Sequence, residues 1–376
     1  MEAQRSVAAI NSVLEREARQ SSAMRSQNNN GTSSSSRLNA AWRQKVIHWY
    51  FTLVAALRRQ HSASAVDVAE GNASGNDGSL SRAANPFNRT MVHISASLLD
   101  NYLLSLSSEQ AQRYKHDRPA YQLLATTCLL LGMRLAGQQK HTDRESGQQD
   151  ARDEEEHRVG GLKRAKTLRT NMMAAGEDAS STTTTTSMSL LDDMLCPDAA
   201  IPTVATILRI SAAPRSISEQ NIRDMIKQLT LSRVFKSQVV TALDYIYALS
   251  STSTNVSQDG LSISLGGRDL EVALRLADAL LNDVNTLSSR PSAVACAVIT
   301  HSLVRSNCSE VANLEMSAIR QKVYYSIYGS KDIGPDLQVE TLKAEATIQV
   351  GVPASRQNAA RRVLPTTHLI PIMDDE

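Results

Sequence analysis

Apolar side chains recur at three- and four-residue spacing along most of this chain, and they nowhere alternate over any length. That period marks helices buried along one face. The densest stretch is Tyr121 to Leu135, where Leu123, Leu124, Ala125, Cys128, Leu129, Leu130, Leu131 and Met133 cover every side of a helix. A helix apolar all round belongs in the middle of other helices. It is too short to span a bilayer, which takes about 20 residues. Pro119 before it and Gly137 after it mark its ends. Arg134 falls in the last turn, where the helix dipole favours a cation. The pattern predicts a buried central helix presenting one positive charge at its C-terminal rim.

The remaining segments are expected to surround it. Residues 3–20 predict an amphipathic helix with Val7, Ile10, Val13 and Leu14 on one side and Arg16, Glu17 and Arg19 on the other. A Ser/Asn-rich linker covers 21–37. A helix from about Asn39 to Arg59 carries the stripe Trp42, Val46, Trp49, Leu53 and Leu57. Residues 60–86 are too long and polar a run for anything but a solvated insertion. Asn88 opens a helix through Leu106, buried along Met91, Ile94, Leu98, Leu99 and Tyr102. Residues 137–198 form a second insertion, with an acidic run, a basic run and five threonines. Such composition buries too little apolar surface to offset chain entropy, so disorder is expected.

Helical spacing resumes at 201–211 and again in a helix capped by Ser216 or Ser218 that carries Ile222, Met225 and Leu229. A second block follows. It contains Val239 to Leu249, Leu270 to Leu287, an almost wholly apolar helix over Ala293 to Leu303, and a helix over Glu310 to Tyr328. From Gly329 the chain reads as mostly irregular. The expected fold is all-α, with two similar bundles each built round one apolar helix. The divisions fall at 1–38, 39–236, 237–328 and 329–376.

Composition narrows the function. The chain has 376 residues and a net charge of +2, so no bulk attraction to nucleic acid is expected. Its four cysteines lie far apart, without zinc spacing or a disulfide framework. A reducing intracellular setting, nucleus or cytoplasm, is expected, with no membrane-spanning segment. There is no glycine-rich phosphate loop, HExxH or GxSxG, and no strand to bring catalytic loops together. A non-catalytic protein without cofactor or metal is expected.

The order of motifs resembles the cyclins. Trp42-Arg43-Gln44-Lys45-Val46-Ile47-His48-Trp49 is similar to the opening of the first cyclin box, and Leu98-Leu99-Asp100-Asn101-Tyr102 to the end of its second helix. The run from Leu123 to Arg134 is similar to its third helix, and Arg290-Pro291-Ser292-Ala293-Val294-Ala295 to the matching entrance in the second box. Val13-Leu14-Glu15-Arg16-Glu17 resembles the short helix before many first boxes. The resemblance implies two five-helix boxes and a cyclin-dependent protein kinase catalytic subunit as partner, in cell-cycle control. It implies an ion pair between Arg43 and Asp100; charge on a packed helix is costly unless paired. It implies kinase contact by Arg134, where the family carries Lys, and by an acidic residue at the position of Ile226, with Asp224 two residues away. It also implies a patch on the first helix (Trp42, Val46, Trp49) where protein substrates dock; the same three residues equally fit the core. A helical scaffold with no kinase partner, and a transcription-factor protein of the same fold, are the other classes. The missing zinc ribbon and basic face argue against the last. Lys163 to Lys166 fits either a nuclear-import patch or plain solvated charge, and Arg361 to Leu364 fits a short Arg-x-x-Leu degradation pattern of a kind that also arises by chance.

Overall fold

The computed structural model describes residues 2–25, 38–70, 88–137, 203–210, 217–232, 239–250, 263, 265–306, 312–330 and 333–351. Among them all the regular structure is helical. The apolar side chains divide into two cores, and the division falls between Val239 and Val240.

The first core is enclosed by α2 (Ala40–Glu70), α3 (Arg89–Ser105), α4 (Ser108–His116), α5 (118–137), α6 (Val204–Ile210) and α7 (Glu219–Leu231). Helix α5 is its axis. Leu124, Cys128, Leu129, Leu131 and Met133 are sealed from solvent although they point to different sides. The Tyr50 hydroxyl donates to the Ala125 carbonyl at 2.8 Å and pins α2 to that axis. Gly132 lets α3 cross close by: a Cβ there would stand 2.1 Å from Ser95 Oγ and 2.9 Å from Ser95 N. The ends follow local chemistry. Asn88 caps α3, and Ser107 with Gln110, and Ser218 with Asn221, close reciprocal capping boxes on α4 and α7.

The second core is built from α8 (Ala242–Ser250), α9 (Gly267–Leu281), α10 (Pro291–Ser306), α11 (Ala312–Tyr328) and α12 (Pro335–Gly351). Here α10 is the axis; it touches α8, α9, α11 and α12. Pro291 opens it at the one place where a missing N–H costs nothing. Helix α1 (Glu2–Arg25) does not join the bundle it precedes in sequence. It lies on α8 and buries Ile10 and Val13 in the second core.

Three expectations are corrected. The tail read as irregular from Gly329 contains α12, whose Leu337, Thr341, Ala344, Glu345 and Ile348 are buried. Its outward face carries Val339, Leu342 and Val350, so apolar residues lie on both sides and no amphipathic period stands out. Helix α2 runs to Glu70, well into the stretch read as a solvated insertion, because its Ser, Ala and His residues tolerate helix without adding an apolar stripe. Glu17, assigned to the polar face of the first helix, is 4% exposed. It stands seven residues after Ile10 and four after Val13, so it shares their face. The insertion at 137–198, the basic cluster at 163–166 and the segment 361–364 lie outside the described residues, apart from Gly137 itself.

Candidate functional site

The first bundle carries the residues singled out for partner binding. Its anchor is the pair between α2 and α3. Arg43 Nε and Nη2 donate to Asp100 Oδ1 and Oδ2, each at 2.8 Å. The residues are 1% and 6% exposed. A planar guanidinium matches a carboxylate in this two-pronged way, and the pair fixes angle as well as distance. Charge held so deep is structural: it sets how α2 crosses α3 and is closed to a partner.

The proposed docking patch is not a surface. Val46 is fully buried and Trp49 is 1% exposed, stacked at an angle beside Tyr50 with ring centres 5.4 Å apart. Trp42 is half-buried and meets Tyr121 edge-on at 5.6 Å. Residues 42, 46 and 49 share one helical face, and that face looks at α5 and α3. The core accounts for all three.

The kinase-contact positions separate. Arg134 is half-buried in the last full turn of α5, at the rim where the sequence places it. Ile226 is 3% exposed and belongs to the first core with Ile222, Met225 and Leu229, so it cannot offer a contact to another protein. Spacings of three and four from 222 to 229 carry it inward. Asp224 lies on the opposite side of α7. It is exposed, 3.8 Å from Lys227 Nζ, and accepts from Gln220 Nε2 at 3.1 Å. Glu219, one turn earlier, pairs with Arg223 at 2.7 Å. The outward face of α7 thus carries the carboxylates Asp224 and Glu219, each beside a base of the same helix.

Where the bundles meet, charge is again concentrated. Arg89 Nε lies 2.7 Å from Asp278 Oδ2, and His93 Nε2 is 3.0 Å from Asp278 Oδ1. A cleft of about 290 Å³ opens there, lined in part by Arg43, His93, Asp100, Glu17, Arg290 and Glu340. Arg43 Nη1 and Ser289 Oγ, on two residues that line this cleft, are buried without a hydrogen-bond partner. The other charges on the cleft wall are satisfied within the protein. Among the described residues there is no cluster of three or more His, Cys, Asp or Glu able to hold a metal. Among them, too, no helix is long and apolar enough to cross a membrane.

Sequence reasoning missed a buried carboxyl on α1. Glu17 receives the hydroxyls of Tyr245 and Ser292, the latter at 2.8 Å, and the Ser292 backbone N–H. Burial raises it above the ordinary carboxylate range, outweighing the lowering by these donors and by Arg290. Three residues on, Gln20 Oε1 accepts from the Val240 N–H at 3.0 Å. The sequence signal was the spacing of Ile10, Val13, Glu17 and Gln20 at intervals of three and four. The chain has no match among family models, curated proteins or solved structures.

Proposed function

We propose that this chain is a non-catalytic regulator of the cyclin kind, which seats on the catalytic subunit of a cyclin-dependent protein kinase. The carrying observation is the sealed Arg43–Asp100 pair, at the two positions where the resemblance expects it, clamping two helices round a buried axis. The second bundle repeats the plan, with helices packed around α10. The binding face in this reading is the rim of the first bundle. Arg134 supplies the cation at the end of α5. Asp224 supplies the acidic group in place of the buried Ile226. A rigid bundle pressed on a kinase's mobile helix and activation segment shifts it toward the state in which its catalytic Lys–Glu pair and metal-binding Asp are aligned. The reaction belongs to the partner, and this chain contributes a surface.

The test is a pull-down from cell extract with the full chain, against the full chain carrying Arg134→Glu, each shown by a thermal melt to be folded. The expected result is a kinase catalytic subunit retained by the first and lost with the second. The buried Ile226 favours a second reading, a helical scaffold that keeps the fold for another partner. Absence of any kinase from both samples would establish that reading and overturn the first.

A further inference from the structure

Helix α1 is a strap laid on the second bundle. Its sequence continues into the first bundle, yet its buried face rests on the second. That face has two apolar teeth, Ile10 and Val13, and two polar ones, Glu17 and Gln20. The polar pair does specific work. Gln20 satisfies the backbone N–H of Val240, at the junction between the cores. Glu17 sits on the first turn of α10, where a carboxyl meets unpaired N–H groups and the positive end of the helix dipole.

The surroundings of Glu17 suit two charge states. Its side-chain partners are the hydroxyls of Tyr245 and Ser292, which can accept a proton's hydrogen bond as readily as donate one. Arg290, the cation that acts on it, is engaged with Glu340 through its backbone N–H at 2.8 Å and its side chain at 3.5 Å. Cys296 and Tyr328 face the same joint from α10 and α11, and burial pushes both up, as it does Tyr245, so all three stay neutral at ordinary pH. Arg43, His93, Asp100 and Glu340 line the same cleft as Glu17, and Asp244 and Glu345 act on Tyr245 and Cys296 from α8 and α12, so the Glu17→Gln comparison is what separates this carboxyl from them.

We propose that α1 is a proton-sensitive clasp: it grips the second bundle more tightly when the buried Glu17 carboxyl is uncharged, and it loosens as a unit when that carboxyl ionises. The sign follows from linkage. An undocked α1 exposes Glu17 to water and releases its proton at the ordinary value, whereas the docked helix holds the proton to higher pH. Docking is therefore favoured below that window and weakens as pH rises through it. Each unit separating the docked and undocked values changes the docking equilibrium up to tenfold.

The experiment is amide hydrogen exchange on the full chain at pH 4.5, 6 and 8, corrected for the intrinsic pH dependence of exchange. The readouts are the amides of residues 10–20 and of Val240. The expected result is an opening constant for α1 that rises with pH in the native chain, and a Glu17→Gln variant that stays docked with no such slope. A native α1 whose opening ignores pH overturns the proposal. So does a Glu17→Gln variant that keeps the slope, or one undocked at every pH, because the amide mimics the uncharged acid. Exchange of α1 only together with the α10 amides overturns it too, since the strap would then not move on its own.

Discussion

Asp100 sits beneath one guanidinium with 6% of its surface in water. Asp100→Ala leaves Arg43 charged and buried with no counter-ion. The expected loss is about 3–5 kcal/mol, read from the urea midpoint of the full chain. Replacing both partners by apolar residues, Arg43→Met with Asp100→Leu, should recover most of that loss, because desolvation offsets much of the pair's attraction. Gly132 is a second such point. Its added methyl in Gly132→Ala would meet Ser95 Oγ, which can turn away, but also Ser95 N at 2.9 Å and Met91 O at 3.0 Å, which cannot. A loss of about 1–3 kcal/mol is expected from such overpacking, with the same measurement. The Arg43–Asp100 pair was legible in the sequence because two charges interrupt otherwise apolar stretches. The inward aim of Trp49 was not, since a tryptophan on an apolar stripe fits a docking patch and a core equally well.

Among the elements, α10 holds a titration opposite in sign to that of Glu17. His301 lies on α10 with Nε2 buried and unpartnered, and burial holds its imidazole below the ordinary range, against the pull of Glu345. The unfolded chain therefore takes up the proton first as pH falls. His301 costs the second bundle nothing at neutral pH and costs it stability below about pH 6.5. From pH 7.5 to pH 5 the native chain is expected to lose melting temperature relative to His301→Gln; a difference that does not change with pH would refute this. An element with one clean apolar face, such as α7, could be read from spacing alone. Helix α12 could not, because a strip of Val339, Leu342 and Val350 faces outward opposite its buried side. The length of α2 was equally hidden, since its last three turns carry no stripe to betray them.

For the molecule as a whole, Asp278 joins the two halves through two side chains at once. It takes Arg89 and His93 from α3 onto α9. Asp278→Asn keeps the shape and removes the charge. The bundles are then expected to melt in two resolved steps, seen as a calorimetric enthalpy that exceeds the van't Hoff value. A single step with matching enthalpies would show that the strap and the apolar contacts suffice. The two-bundle plan was visible from sequence because each core has its own apolar axis. The assignment of α1 to the far bundle was not, for nothing local tells a helix which of two similar cores it will choose.

That choice has a consequence for how the protein is made. Glu17 precedes its partners Tyr245 and Ser292 by 228 and 275 residues. A ribosome adding about 5–20 residues each second therefore exposes α1 on the order of tens of seconds before its seat exists. The first bundle, complete by Leu231, can close in the meantime. Through that interval Ile10 and Val13 stand uncovered on a nascent chain, so α1 is where a co-translational chaperone has the longest opportunity to hold this protein.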